Sequence, residues 1–150
     1  MARRVFFSFH YQRDVWRANV VRKSGEFIGT AAAGFQDASL WEEAKRKGDA
    51  AIKKLIDDNL ENTSVTCVLI GAKTAGRKYI NYEIAQSIAR GNGLLGVHIH
   101  NIENNDGNTD TMGEVPVKLA STACKIHTWP NDHAKFAGWI EDAAPKKAHV

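Results

Sequence analysis

The chain has 150 residues, the length of one ordinary domain, and its 25% charged and 43% hydrophobic residues are typical of a globular protein with a proper core. Its 20 basic and 17 acidic residues leave a net charge of +3, which is too small for a dedicated nucleic-acid-binding protein but favours an anionic ligand such as a dinucleotide. No apolar stretch approaches the length of a membrane span, the first residues lack the pattern of a secretion signal, and the two cysteines form no CxxC pair. We therefore expect a single cytoplasmic domain over residues 1–150, with no membrane or nucleic-acid partner and with a loosely ordered tail from about residue 143.

Short apolar runs rich in β-branched and aromatic residues predict three buried strands, at residues 5–9, 65–70 and 94–99. Isoleucine and leucine recur at helical spacing over residues 49–60 and 78–90, and the second of these stretches ends at a Gly-Asn-Gly signal for a helix C terminus. Both stretches therefore predict amphipathic helices that each precede a strand.

The remaining elements have weaker signals. Asp14 is a candidate N-cap for a helix that runs through residue 21, and a second strand is expected near residues 31–36. The polar stretch at residues 101–114 predicts a long mobile loop, and a last strand near residues 125–129 and a helix near 131–142 follow it. Strands that alternate with helices predict a mostly parallel sheet of about five strands with helices on both faces.

The loop at residues 71–78 (GAKTAGRK) lies between a predicted strand and a predicted helix, which is the context of a phosphate-binding P-loop. The glycine spacing fits, but Arg77 stands where that motif has lysine, and no serine or threonine follows it to bind Mg²⁺. The pattern therefore disfavours a nucleoside triphosphatase. A looser hypothesis is that backbone N–H groups and Arg77 or Lys78 hold a pyrophosphate at the helix start. A solvated loop is the alternative.

Two histidines, His98 and His100, share one face of a predicted strand and are candidate metal ligands. No third ligand follows from the spacing, so we interpret them as two ordinary histidines near a strand end. No metal site is expected.

Glu83 is the most informative carboxylate. Ile80, Ile84 and Ile88 define the buried stripe of its helix, and Glu83 falls about 100° from Ile84 on the helical wheel, at the edge of that stripe. A half-buried carboxylate there is expected to have a raised pKa and to face the crevice at the carboxyl ends of the strands. The alternative is a surface glutamate on an amphipathic helix, which spacing alone favours somewhat more.

Three segments carry a family resemblance. Residues 3–14 (RRVFFSFHYQRD) resemble the first strand and following loop of TIR domains, and residues 76–88 (GRKYINYEIAQSI) resemble the TIR helix that carries the catalytic glutamate. Residues 56–71 (IDDNLENTSVTCVLIG) are the most specific part of a likeness, over about residues 3–102, to the TIR-like family that contains the ThsB proteins of bacterial Thoeris anti-phage systems. Tyr79 departs from many TIR domains, which have tryptophan at its position.

The resemblance implies a flavodoxin-like fold, NAD as the substrate and an ADP-ribose-derived messenger that switches on a partner effector after phage infection. It gives Glu83 the catalytic role, and it places Asp37, Ser39 and Trp41 in a mobile loop, the BB loop of TIR domains. The substrate-binding residues expected on this basis are Ser8, Phe9, His10, Tyr11, Asp37, Trp41, Arg77 and Tyr79.

Cleavage of the nicotinamide–ribose bond develops positive charge on the ribose, which a carboxylate such as Glu83 stabilises. Phe9 and Tyr11 are candidates to stack on a ring of the substrate, while the candidate pyrophosphate contacts are Arg13, Arg77 and Lys78. NAD is then a substrate, and no cofactor or metal is required, because nicotinamide is already a cationic leaving group.

We further expect a cyclised or conjugated product in a cavity that Tyr79 and Tyr82 help to wall off from water. We also expect activity to depend on self-association, with Trp41 as a contact anchor; the alternative is that Trp41 covers the core. Two other functions stay open: a non-catalytic TIR-type adaptor that acts by self-assembly, and a nucleoside deoxyribosyltransferase-like N-glycosidase.

Overall fold

The computed structural model describes residues 3–23, 27–31 and 39–145 of the chain. Within these ranges, no helix is both long and apolar enough to cross a bilayer. The strands in these ranges are β1 (Arg3–Ser8), β2 (Phe27–Thr30), β3 (Val65–Ile70), β4 (Gly93–His98) and β5 (Lys125–Thr128). The helices are α1 (Tyr11–Arg22), α2 (Ser39–Lys47), α3 (Asp49–Leu60), α4 (Lys78–Arg90), α5 (Val117–Ala120) and α6 (His133–Ala143).

The five strands form one parallel sheet in the order β2-β1-β3-β4-β5. The chain moves outward from β1 to β2 and then returns to place β3 on the other side of β1. Strand order therefore reverses between β1 and β3, and open α/β sheets bind ligands in the crevice at the carboxyl ends of such strands. The predicted α/β class and the flavodoxin-like, parallel arrangement are confirmed.

Helices cover both faces of this sheet. On one face, Val5 and Phe7 of β1 belong to the same core as Phe136 and Ile140 of α6. On the other face, Phe6 packs with residues of α3, and Val68 and Ile70 of β3 pack with Ile80 and Ile84 of α4. Because neighbouring side chains of a strand point to opposite faces, Ser8 shares the α3–α4 face with Phe6. This alternation places the Ser8 hydroxyl under α4.

The long amphipathic helices and the central strand were predicted correctly. The bounds of α3, β3 and α4 are those expected from the sequence, and all six residues of β3 are buried. The first and fourth strands start one or two residues earlier than expected, and β5 and α6 lie close to their predicted positions. Residues 146–150, most of the tail that we expect to be loose, lie outside the described residues.

The predicted position of the second strand was wrong, because β2 spans Phe27–Thr30 and residues 32–38 lie outside the described part of the chain. Gly29 occupies the middle of this strand and weakens its sequence signal. A Cβ on Gly29 would lie 2.8 Å from Cε2 of Phe7, so the glycine leaves room for that ring. The reason for the glycine is therefore a tertiary contact.

The predicted helix cap at Asp14 was also wrong. Helix α1 begins at Tyr11, with His10 at the N-cap, and the backbone N–H of Asp14 donates to the His10 carbonyl at 2.8 Å. Asp14 lies inside the first turns of the helix and its side chain is completely buried.

The expected loop around Trp41 is a helix instead, since α2 covers Ser39–Lys47. Glutamates near its start and Lys45, Arg46 and Lys47 in its last turn complement the helix dipole, and Ala44 is buried against α3. By contrast, residues 101–114 contain neither helix nor strand, as predicted. Arg17 of α1 holds this loop through bonds to the carbonyls of Ile102 and Asn108.

Candidate active site

A cavity of about 550 Å³ opens beyond the carboxyl end of β1, between that strand and helices α2 and α4. Its size lies within the usual range for small-molecule sites. Most of the residues that line the cavity are aromatic or basic. Among the described residues that line it, Glu83 is the one acidic residue. The lining residues used below are Phe9, His10, Tyr11, Trp41, Lys45, Arg77, Lys78, Tyr79 and Glu83.

Glu83 reaches this cavity from the second turn of α4 and is only 5% exposed, which is more burial than the helical wheel predicted. Its Oε1 accepts a hydrogen bond of 2.7 Å from the Ser8 hydroxyl. Burial raises the pKa of Glu83 to about 8, and the bond from Ser8 opposes that rise. The carboxyl group is therefore mostly protonated at neutral pH while the cavity is empty, and it titrates near the pH at which a catalytic acid or base works best.

A chain of buried hydroxyl groups fixes the backbone beneath Glu83. The Ser87 hydroxyl donates to the Glu83 carbonyl at 2.7 Å and also lies 2.7 Å from the Thr66 hydroxyl of β3. Asn92, just beyond α4, donates to the same Thr66 oxygen at 3.1 Å. These contacts lock α4 onto β3 and hold the Glu83 carboxyl group on rigid elements.

Two pairs of aromatic rings form walls of the cavity. The ring centroids of Phe9 and Tyr11 lie 6.3 Å apart, and those of Trp41 and Tyr79 lie 6.0 Å apart with the rings nearly perpendicular, at 88°. Trp41 is half-buried and also packs on the α2–α3 core. This position fits the alternative, in which Trp41 covers the core, better than it fits an exposed contact anchor. These rings offer flat apolar surfaces to a planar ligand.

The basic side chains at the cavity differ in how strongly they are already paired. Lys78 lies 2.7 Å from Asp49, whereas Lys45 lies 3.8 Å from Glu42. Arg77 makes no ion pair within the described ranges. The pKa of His10 is lowered mainly by burial and further by the positive charges of Arg77 and Arg13. Its imidazole is therefore neutral at pH 7. The excess of positive charge suits an anionic ligand such as a pyrophosphate.

The structure brings together most of the residues expected to bind substrate. Phe9, His10, Tyr11, Trp41, Arg77 and Tyr79 all line the cavity together with Glu83. Ser8 instead is fully buried and contacts Glu83. Asp37 lies outside the described residues, and nothing is described of the Ser39 side chain.

Two expected contacts are placed elsewhere. Arg13 pairs with Asp110 at 2.6 Å, away from the cavity, and the Tyr82 hydroxyl donates to Asp57 of α3, so Tyr82 does not line the cavity. Lys45 and Gln12 also line the cavity and were not predicted from the sequence. Lys45 follows Trp41 by one helical turn, so the two side chains lie on the same face of α2. A prediction of helix and not loop for this segment would have placed Lys45 beside Trp41.

The remaining candidates have no part in the cavity. His98 and His100 are neighbours, with ring centroids 6.0 Å apart, and no group of three His, Cys, Asp or Glu side chains in the described residues is arranged to hold a metal. Cys67 lies in the middle of β3, and complete burial raises the pKa of its thiol. Cys67 does not line the cavity.

Comparisons with known proteins agree on one family. Residues 6–104 match the family described as "Thoeris protein ThsB, TIR-like domain". Over 156 aligned residues, the chain is 50% identical to a protein of Bacillus cereus (strain MSX-D12) named "Putative cyclic ADP-D-ribose synthase ThsB1", and the alignment covers 99% of this chain and 81% of that protein. The resemblance stated from the sequence is confirmed: the chain belongs to the family of Thoeris ThsB TIR-like proteins.

Proposed function

We propose that this protein cleaves the nicotinamide–ribose bond of NAD, with Glu83 as the catalytic carboxylate. The observation that carries the proposal is a buried carboxyl group at the wall of a cavity whose other lining residues are mostly aromatic or basic. Aromatic surfaces suit the adenine and nicotinamide rings, and Lys45 and Arg77 suit the pyrophosphate between them. The name of the Bacillus cereus relative, a cyclic ADP-D-ribose synthase, points to the same substrate class.

The chemistry follows from charge. As the bond from nicotinamide to ribose breaks, positive charge moves onto the ribose, and a carboxylate in a cavity of low dielectric stabilises it strongly. Nicotinamide in bound NAD is itself a cation. A cation beside Glu83 favours the ionised carboxylate, so substrate binding lowers the pKa of Glu83 from its raised value and charges the group where the reaction needs it.

We propose a cyclised or conjugated ADP-ribose as the main product. Water competes for the ribosyl cation, and a different product requires a site that excludes water and holds another nucleophile close. The Phe9–Tyr11 and Trp41–Tyr79 pairs are the surfaces that would do this. A hydroxyl or ring nitrogen from the adenosine half of the same NAD is then the internal nucleophile. The new bond forms at the ribosyl carbon, and nicotinamide leaves as a neutral base with the electron pair of the broken bond. A hydroxyl nucleophile loses its proton to solvent in this step, whereas a ring nitrogen attacks through its lone pair and carries no proton to lose.

The proposed product acts as a messenger that activates a separate effector protein, after a phage-derived trigger has raised the activity of this chain. Self-association belongs to the same proposal. Family membership supports signalling as the role, since the matching family is that of the Thoeris ThsB proteins. Chromatography and mass spectrometry of NAD reactions, with the pure protein and with extracts of phage-infected cells, test for a product other than ADP-ribose.

Replacement of Glu83 tests the activity itself. Glu83→Gln should abolish NAD consumption without loss of the fold, whereas Glu61→Gln, an exposed carboxylate after α3, should leave it unchanged. Parallel incubations with NAD and with deoxynucleosides separate the three functions. Deoxynucleoside cleavage alone would indicate a deoxyribosyltransferase-like enzyme, and no turnover of either substrate would favour an adaptor. Unchanged NAD turnover by a folded Glu83→Gln protein would reject the assignment.

A further inference from the structure

Two buried side chains from distant parts of the chain meet beside the cavity. Ser8 is the last residue of β1, and its hydroxyl donates to Oε1 of Glu83 on α4 at 2.7 Å, although the two residues are 75 positions apart in the chain. Ser8 is 0% exposed and does not line the cavity, whereas Glu83 does. Within the described part of the chain, Ser8 is the one hydrogen-bond donor to this carboxyl group.

We propose that Ser8 is a positioning residue that holds one oxygen of Glu83, so that the other oxygen faces the substrate. This inference rests on the proposed function of Glu83, but it gives Ser8 a different role from the substrate contact expected from its place in β1. A residue that is completely buried beneath the carboxyl group has no surface to offer to a ligand in the cavity. Its hydroxyl acts on the reaction only through Glu83.

Ser8 also stabilises the charged form of Glu83. A donated hydrogen bond favours a carboxylate over a carboxylic acid, and burial has the opposite effect. The other titratable groups facing the cavity are His10, Tyr11, Lys45, Arg77, Lys78 and Tyr79, and none of them is among the groups that shift the pKa of Glu83. Loss of the Ser8 hydroxyl therefore leaves burial unopposed, so the pKa of Glu83 should rise further.

The chain supplies a matched control in Ser87. Both serines are completely buried, and both donate a bond of 2.7 Å to the same residue. Ser8 donates to the side chain of Glu83, while Ser87 donates to its backbone carbonyl. Replacement of either serine by alanine removes the same hydroxyl group from an equally buried place, but only Ser8→Ala removes a hydrogen bond to the carboxyl group.

The experiment measures the ionisation of Glu83 in two ways. Protein labelled with ¹³C at the glutamate carboxyl carbons is titrated by NMR, and the Glu83 signal is identified by its loss in Glu83→Gln. Separately, kcat/KM for NAD is measured against pH in the wild type and in Ser8→Ala, Ser8→Cys and Ser87→Ala. Ser8→Cys keeps the volume of the site but replaces the hydroxyl by a weak donor. If Ser8→Ala does not fold, Ser8→Cys serves as the test variant.

For Ser8→Ala we expect the NMR midpoint and the rising limb of kcat/KM to move up by about one pH unit, and kcat/KM at pH 7 to fall about tenfold, as for a lost hydrogen bond to a charged group. Ser8→Cys should shift in the same direction, and Ser87→Ala should keep the wild-type midpoint. An unchanged Glu83 midpoint in folded Ser8→Ala or Ser8→Cys, or an equal shift in Ser87→Ala, would overturn the proposal. The NMR titration needs no turnover, so failure of the proposed NAD chemistry would be seen separately.

Discussion

The Tyr79 hydroxyl donates a 2.8 Å hydrogen bond to Asp49, which joins the first turn of α4 to the first residue of α3. Asp49 also pairs with Lys78 at 2.7 Å and Lys53 at 3.2 Å, and these partners hold its pKa well below the usual range. Tyr79 in turn contacts the ring of Trp41 in an edge-to-face arrangement at the cavity wall. One exposed aspartate therefore helps to set the position of an aromatic wall of the site.

Asp49→Asn is expected to raise KM for NAD by roughly three- to tenfold, because one hydrogen bond that orients Tyr79 is weakened and Lys78 loses its partner. Stability should change little, since exposed ion pairs contribute little to the free energy of unfolding. Steady-state kinetics and thermal unfolding measure both quantities. Asp58→Asn is the control, because it breaks the exposed pair with Lys54 on the same helix, away from the cavity. Equal effects of the two variants on KM would contradict this role of Asp49.

The pH dependence of NAD cleavage should follow the ionisation of Glu83. Burial raises the pKa of this group to about 8 in the empty protein, so the reactive carboxylate becomes the major form only above that pH. We expect kcat/KM, which reports groups of the free enzyme, to rise about tenfold per pH unit below a midpoint near 8. A blank without protein corrects for the decay of NAD in base. A fall in kcat/KM through the same pH range would show that the protonated form is the active one.

Asp14→Asn should stabilise the protein at neutral pH. Asp14 is fully buried, and its carboxylate oxygens find no hydrogen-bond partner in the described residues. Burial raises its pKa from 3.8 to about 6, partly offset by the charges of Arg13 and Arg17, while Asp110 adds to the rise. A raised carboxyl pKa means that the folded state binds the proton more tightly, so stability is lost as pH rises from about 4 to about 6.

Removal of that charge should add roughly 2–3 kcal/mol to the free energy of unfolding at pH 7 and almost nothing at pH 3. Urea denaturation at the two pH values measures the difference. Asp110→Asn should act in the opposite direction at pH 7, because Arg13 and the Thr111 backbone lower the pKa of Asp110 and so stabilise its charged form. A destabilised Asp14→Asn protein at pH 7 would mean that the buried carboxylate is paired in solution.

Trp41→Ala is expected to raise KM for NAD about tenfold or more, because the large ring is half-buried between α3 and Tyr79 and forms part of the cavity wall. Trp16→Ala is the control: Trp16 is 52% exposed on α1 and does not line the cavity. Light scattering and turnover per subunit over a dilution series test the separate proposal of self-association. If Trp41→Ala abolished self-association but left KM unchanged, the result would support Trp41 as the contact anchor expected from the sequence and not as part of the binding site.

Local patterns were sufficient to predict the central elements of the sheet. Strand β3 is buried on both faces, so its sequence is continuously apolar, and Ile80 and Ile84 mark the buried side of α4 at helical spacing. The resemblance to TIR domains added the family and selected Glu83 from the carboxylates on exposed helix faces. Spacing alone left that choice open, because the helical wheel places Glu83 only at the edge of the buried stripe.

Other features depend on contacts that no local pattern contains. Gly29 has a weak strand propensity. It lies in β2 because the ring of Phe7 packs where the Cβ atom of any other residue would be. Lys45 joins the cavity only because residues 39–47 are helical and α2 packs against α3.

Ser8 and Glu83 illustrate the same limit for the chemistry of the site. The sequence determined that a polar residue follows the apolar part of β1 and that a glutamate lies on α4. Only the packing of α4 across the carboxyl ends of β1 and β3 decided that the two side chains meet at 2.7 Å in a place without solvent. The pKa of Glu83 depends on that burial and that single donor, and both come from residues far apart in the chain, so the three-dimensional structure determines its ionisation.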